Sequence, residues 1–379
     1  MFLEHPLSHL FSEFTLTSPR GPLSLANRTV IAPMCQYSAH EGQASDWHLM
    51  HWGNLLNSGA GMLIIEATGV TPQARITPLC LGLWDDATAA ALDDKLNRAR
   101  RLAPHMPVCI QLAHAGRKGS SAAPWQGGQL LDPAHGGWAT QGPSAIPQLP
   151  QEKPPSALSL TDIANIKEAF VQAAKRAAAI GIDAIELHGA HGYLIHQFLS
   201  PIANQRTDAY GGNFEGRTRF PKEVFQAVRA VFQGTLGMRI SASDWVEGGW
   251  TPEETADFAL QLKQAGADFV HISSGGVSPQ QKIALGPEYQ VPFAKLVKQK
   301  TNMPTMTVGL ITTPQQAEDI VARGDADLVA MARAFLYKPR WVWEAAAALN
   351  GHVQASPQYW RCMPREAQTI FGSVQMGQR

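Results

Sequence analysis

The chain has 379 residues, 45% of them hydrophobic and 16% charged, a balance that supports a large buried core rather than disorder. Its 31 basic and 31 acidic residues cancel without a long run of either sign, which argues against nucleic acid or an anionic membrane as a partner. Four cysteines without a CxxC pair (Cys35, Cys80, Cys109, Cys362) argue against a disulfide framework, a zinc ribbon and a cysteine-bound iron–sulfur cluster. Cys109 lies in an apolar run and reads as core. No apolar run approaches the roughly 18 residues of a membrane-spanning helix. The opening Met1-Phe-Leu-Glu-His-Pro6 carries an acid and a proline where a signal peptide needs a basic start. A soluble, cytoplasmic protein forming one domain over residues 1–379 is expected.

In chain order, Phe11 to Asn27 alternates around the turn Ser18-Pro-Arg-Gly-Pro22 and predicts a β-hairpin. Short apolar runs then recur at Thr29–Met34, Met62–Glu66, Val108–Leu112, Ala184–Leu187, Gly237–Ser241, Phe269–Ser273, Thr305–Val308 and Leu328–Met331. Between them lie stretches of helical period, clearest at Thr161–Ile180, Arg219–Phe232, Pro252–Ala265 and Thr313–Arg323. Residues around 45–57 also read as a helix. Several helices stop at Gly-Ile-Asp, Gly-Ala-Asp or Gly-Asp-Ala-Asp directly before the next strand. Helix, glycine, aspartate, strand, repeated, predicts right-handed βα units, and eight strands predict a (β/α)8 barrel. Residues about 114–158, rich in Gly, Pro, Ser and Trp, interrupt the rhythm after the third strand and read as a long capping excursion. Residues about 351–379 read as a C-terminal tail.

Barrels of this kind do their chemistry at the C-terminal ends of the strands. Those ends offer Pro33-Met-Cys-Gln-Tyr37, Glu66-Ala67, Gln111 with His114, Arg239, Ser273-Ser-Gly-Gly276, Gly309 and Met331-Ala-Arg333. Above all they offer Glu186-Leu-His-Gly-Ala-His-Gly-Tyr193, where two imidazoles and a phenol share a glycine-bearing strand end. Gly309 and the Ala332-Arg333 step stand where barrels bind phosphate on backbone N–H groups. Arg239, projecting from a central strand, needs an anion: a phosphate, a carboxylate, an anionic cofactor ring or a structural ion-pair partner. His188-x-x-His191 and His48-x-x-His51 also have the spacing of a metal pair. In the second, helical spacing suggests an exposed or capping face. No convergent carboxylate set accompanies either, so no metal is expected.

Pro201-Ile-Ala-Asn-Gln-Arg-Thr-Asp-Ala-Tyr-Gly-Gly212 with Glu215-Gly-Arg-Thr-Arg-Phe220 resembles the signature of the Old Yellow Enzyme family of FMN-dependent ene-reductases. His-x-x-His-x-Tyr falls just before it. Ala32–Tyr37, Asp46-Trp-His-Leu, Gln111–Arg117 and Val308–Ile311 match as well, and Pro-Met-Cys-Gln-Tyr resembles the thermophilic-like branch. The resemblance covers nearly the whole chain. It implies FMN across the barrel mouth, with Pro33, Met34, Cys35 and Ala67 near its ring. Gln111 and Arg239 would face its pyrimidine edge, and Gly309, Ala332 and Arg333 its phosphate. It implies NADPH or NADH as reductant and α,β-unsaturated carbonyl compounds as substrates. His188 and His191 would hold the carbonyl oxygen, Tyr193 would protonate the α carbon and Tyr37 would position the substrate. A homodimer or homotetramer is implied, with Arg361 reaching a neighbouring site. Two departures stand out: Ala332 replaces the usual glycine of the phosphate turn, and no cysteine-rich extension follows.

Overall fold

The chain enters through the predicted hairpin, β1 (Phe14–Ser18) antiparallel to β2 (Gly21–Leu25). The eight apolar runs then form β3 (Thr29–Ile31), β4 (Met62–Gly69), β5 (Val108–Ala113), β8 (Ala184–Gly189), β9 (Thr235–Ser241), β10 (Phe269–Ser273), β11 (Thr305–Thr307) and β12 (Leu328–Met331), with β6 (Gln141–Gly142) and β7 (Ser156–Ala157) pairing inside the excursion. All eight are parallel and close into a barrel in sequence order, β12 pairing with β3. This computed structural model describes residues 8–374. The N-terminal hexapeptide read above and the last five residues of the tail, 375–379, lie outside the described residues.

Ten helices are seen among the described residues: α1 (Asp46–Leu56), α2 (Asp86–Arg100), α3 (Leu160–Ala179), α4 (Leu194–Leu199), α5 (Phe214–Val231), α6 (Pro252–Gln264), α7 (Val291–Thr301), α8 (Pro314–Ala322), α9 (Arg333–Tyr337) and α10 (Trp341–Leu349). α3 shows why they form. Ser159 accepts from the Asp162 N–H and Asp162 answers at the Ser159 N–H, closing a capping box. Ile163, Ile166, Phe170, Ala173, Ala174 and Ala177 then recur at helical spacing as the buried face. α5 begins five residues before the predicted start. Asn213 caps it at the Gly216 N–H, and a glycine and a proline inside the helix, Gly216 and Pro221, hide its first turns from a periodicity reading.

The recurrent aspartate before a strand has a defined use. Asp183 accepts from the Val108 N–H, Asp268 from Leu236 and Asp327 from Thr305, at 2.8–3.0 Å. Each carboxylate thus satisfies the start of the preceding strand, and each also pairs with a cation, Arg100, Arg229 or Lys298. The same side chain registers neighbouring strands and ties a helix to the lower end of the barrel.

Inward-facing side chains are layered. Val30, Met62, Cys109, Ala184, Phe269, Met306 and Leu328 fill the lower barrel, and Leu16 and Leu25 of the hairpin pack against them from below. The charged groups stand higher up, where Gln111, Glu186, His188, Arg239, His271 and Ser273 are all buried. The apolar layer fills the floor, and the charged groups stand toward the mouth.

Candidate active site

Opposite one another in the β8/β9 register stand His188 and Arg239, with Arg239 also opposite His271 of β10. Beneath them Glu186 accepts from Gln111 Nε2 at 2.7 Å on one oxygen and meets His271 Nδ1 at 2.7 Å on the other. Gln111 therefore turns its N–H₂ to Glu186 and keeps its carbonyl oxygen for another donor. The sequence motif by itself gives Glu186 no role. Here it orients Gln111 and partly offsets the charge of Arg239, whose guanidinium burial lowers from its ordinary value. Arg239 Nε and His271 Nε2 remain buried without a partner.

After β8 the chain turns sharply through His191 and Gly192, and Tyr193 is the N-cap position of α4. The His188 ring lies 5.2 Å from that of His191 and 4.8 Å from that of Tyr193, both edge to face. The Ala190 N–H donates to His188 Nδ1 at 3.2 Å, which leaves the proton on Nε2. Among the described residues that N–H has no partner. His191 differs: its Nε2 meets Ser273 Oγ at 2.8 Å, and because Ser273 itself donates to Gln290 Oε1, the imidazole is the donor. The sequence motif treats the two histidines alike, yet only one N–H is free.

Both imidazoles are held neutral. Burial pushes their pKa values well below the ordinary range, and Arg239 adds to the effect. The Tyr193 phenol is pushed well up by burial, and among the described residues its hydroxyl has no acceptor. A second network supports the turn. The Gly192 N–H donates to His196 Nδ1, and His196 Nε2 donates to Asp244, which also accepts from Ser200 and the Trp250 N–H. His196 and Asp244 drew no attention in the sequence. They are 48 residues apart, and nothing local connects them.

The remaining predicted residues fall into three groups. Arg239, Gly309, Ala332 and Arg333 line one cavity of about 690 Å³, with Tyr289, Gln290 and Ala32. Pro33 and Met34 lie half-buried on the loop after β3. Past them the Cys35 thiol lies by the Ala67 backbone and the Tyr37 hydroxyl, and Ala67 stands opposite Gln111. Tyr37 and Trp125 of the excursion meet edge to face at 5.6 Å. Arg361 is set apart, exposed in a turn of the tail without a hydrogen bond or ion pair among the described residues.

Of the two faces expected for His48, exposed or capping, the structure shows the capping one. His48 caps α1 by accepting the Ser45 N–H at Nδ1, and it is fully buried with Nε2 donating to Glu66 at 2.9 Å. Glu66 also receives the Gln36 N–H, so it anchors the loop carrying Cys35 and Tyr37. Helical spacing placed His48 on a face but could not show that the face packs on β4. No cluster of three metal-ligating side chains occurs among the described residues, and no helix there is long and apolar enough to cross a membrane.

The residues fit FMN. A buried Arg239 N–H without an acceptor and a Gln111 carbonyl aimed away from Glu186 suit the edge of its ring, which offers both acceptors and a donor. At φ +122° Gly309 brings bare backbone to the cavity, and a Cβ there would press within 3.0 Å of Gln290. The added methyl of Ala332 leaves its backbone N–H in place.

An eight-stranded α/β barrel with such a mouth defines a flavin-dependent oxidoreductase. The comparisons agree: the chain belongs to the NADH:flavin oxidoreductase / NADH oxidase family, matched over residues 10–351. It is an oxidoreductase of the Old Yellow Enzyme type, with FMN and NAD(P)H as cofactors. It is 40% identical to the NADPH dehydrogenase of Geobacillus sp. (strain WCH70) over 354 residues, covering 93% of this chain and 98% of that one. With the NADPH dehydrogenase of Geobacillus thermodenitrificans (strain NG80-2) the identity is 41% over the same shares. Among solved structures, morphinone reductase superposes with a TM-score of 0.73 at 26% identity, covering 94% of this chain and 93% of that one.

Proposed function

We propose that the protein reduces the C=C bond of α,β-unsaturated carbonyl compounds at the expense of NADPH or NADH. The reading is carried by one observation: a neutral His188 with a free Nε2–H stands edge to face with Tyr193, whose hydroxyl has no acceptor, at the same rim as Arg239. FMN held at this mouth would supply the hydride that reduction of the C=C bond requires. The His188 Nε2–H donates to the substrate carbonyl oxygen and gains strength as enolate charge grows there. His191 can add a second bond when its Nε2–H exchanges Ser273 for that oxygen. The Tyr193 O–H then delivers the proton to the α carbon. Tyr37 borders the substrate space, and Arg239 sets a positive charge where reduction of FMN builds negative charge. The names of relatives, NADPH dehydrogenases and a morphinone reductase, support a nicotinamide reductant and a small-molecule acceptor.

The proposal extends to assembly as a homodimer or homotetramer in which the exposed Arg361 serves a neighbouring site, with neither nucleic acid nor membrane as partner. The test is anaerobic. NADPH or NADH bleaches the FMN-loaded protein, and 2-cyclohexenone restores the yellow colour with formation of cyclohexanone. Reduced protein that recolours only when air is admitted refutes the reading.

A further inference from the structure

The turn carrying His191 is held in an unfavourable conformation. His191 has φ +57° and Gly192 φ +75°, two left-handed residues in succession, and the first carries a side chain. The turn lies backbone to backbone on the turn after β10. A Cβ on Gly276 would stand 2.5 Å from His191 Cα, and one on Gly192 would collide with the Gly276 carbonyl. Two carbonyl oxygens, of His191 and Gly276, are thereby brought toward one point.

Lys118, in the first turn of the excursion after β5, fills that point. Its Nζ donates to the His191 carbonyl at 2.8 Å and the Gly276 carbonyl at 3.0 Å, and lies 5.1 Å from the centre of the Tyr193 ring. No carboxylate pairs with it among the described residues. Burial draws its pKa down to about 8, and the neighbouring Arg117 contributes. A buried ammonium without a counter-ion is costly, and the cost is met here by main-chain oxygens and a phenol ring.

Building on the enone-reductase reading, we propose that Lys118 is the positioning residue for proton delivery. Its ammonium staples the His191–Tyr193 turn to the turn after β10 and keeps a positive charge against the phenol. When Tyr193 protonates the α carbon, its O–H bond breaks as the new C–H bond forms, and the electron pair stays on the phenolate oxygen until a solvent proton restores it. A cation over the ring face stabilises the phenolate as it forms. The titratable groups around Lys118 are Arg117 on its own turn, His188 of β8, His191 and Tyr193 from the loop after it, and Tyr37 and Glu152 across the adjoining cavity. The histidines stay neutral and the phenols protonated through the range where Lys118 titrates, which isolates its contribution.

The test uses the FMN-loaded protein with Lys118→Met and Lys118→Arg. In Lys118→Met, reoxidation by 2-cyclohexenone slows roughly ten-fold or more while reduction by NADPH holds within about two-fold; Lys118→Arg, keeping the charge, is affected less. The unmutated protein loses reoxidation rate as pH rises through about 8, where the ammonium deprotonates, and Lys118→Met is flat over that range. Amide exchange of residues 189–193 and 274–277, corrected for its intrinsic pH dependence, rises in Lys118→Met and, in the unmutated protein, above the same pH. This last readout needs neither enone turnover nor a folded variant, so an unmutated protein inert toward enones refutes the proposed activity while exchange still decides the staple. Exchange unchanged by the charge, or equal slowing of both half-reactions, overturns the role of Lys118.

Discussion

The two histidines of the motif are equivalent in sequence and unequal in the structure, and this sets the sharpest prediction. Replacing His188 with alanine removes an N–H that has no other partner, whereas replacing His191 removes one already committed to Ser273. A phenolate bound at the site imitates the enolate oxygen of the reaction. A hydrogen bond to such a charged acceptor contributes about 1.5–3 kcal/mol, so His188→Ala weakens phenol binding by roughly 10- to 150-fold. For His191, contact with the ligand replaces contact with Ser273, and the net gain is about 1 kcal/mol or less, roughly five-fold in affinity. Titrating the FMN-loaded proteins with a para-substituted phenol and following the long-wavelength flavin absorbance gives both constants. Ser273→Ala, which frees the His191 Nε2–H, should tighten the phenol. Equal weakening by the two alanine variants, or a larger loss at His191, would refute the assignment of the free donor to His188.

Other outcomes follow from the same geometry. Tyr193→Phe should slow enone reoxidation by roughly 10²- to 10⁴-fold, the span of a positioned proton donor, and leave NADPH reduction nearly unchanged in stopped-flow measurements. Asp268→Ala removes the acceptor of the Leu236 N–H and the partner of Arg229 together; a loss of about 2–4 kcal/mol, read as a lower urea midpoint, is expected. Burial acts to raise the Asp244 carboxyl, but His196, Ser200 and the Trp250 N–H overcome it and hold its pKa below the ordinary value. A depressed carboxylate contributes stability that is complete above its unfolded pKa and disappears as pH falls through the folded one. The urea-midpoint advantage over Asp244→Asn should therefore be full at about pH 6 and shrink below about pH 4. An advantage that does not change with pH would show that Asp244 acts by shape alone.

Strand count and the barrel it predicts were legible in the chain because each rests on a short-range pattern, whereas FMN was implied by the family resemblance. An apolar run of a few residues makes a strand, Gly-x-Asp ends a helix and begins the next strand, and the motif from Glu186 to Tyr193 lies within eight residues. α5 was read short because Gly216 and Pro221 weaken the local helical signal that Asn213 and the packing of Phe220 and Val224 override. What the patterns could not contain were contacts between residues remote in sequence. Ser273 takes the His191 N–H from 82 positions away, His271 meets Glu186 across 85, and Lys118 reaches the carbonyl of Gly276 across 158. Local propensity and periodicity determined which side chains arrive at the rim. Barrel closure alone decided which N–H is free, which is spent, and where the uncompensated charge stands, because in a parallel barrel those partners come from strands that only the tertiary fold makes neighbours.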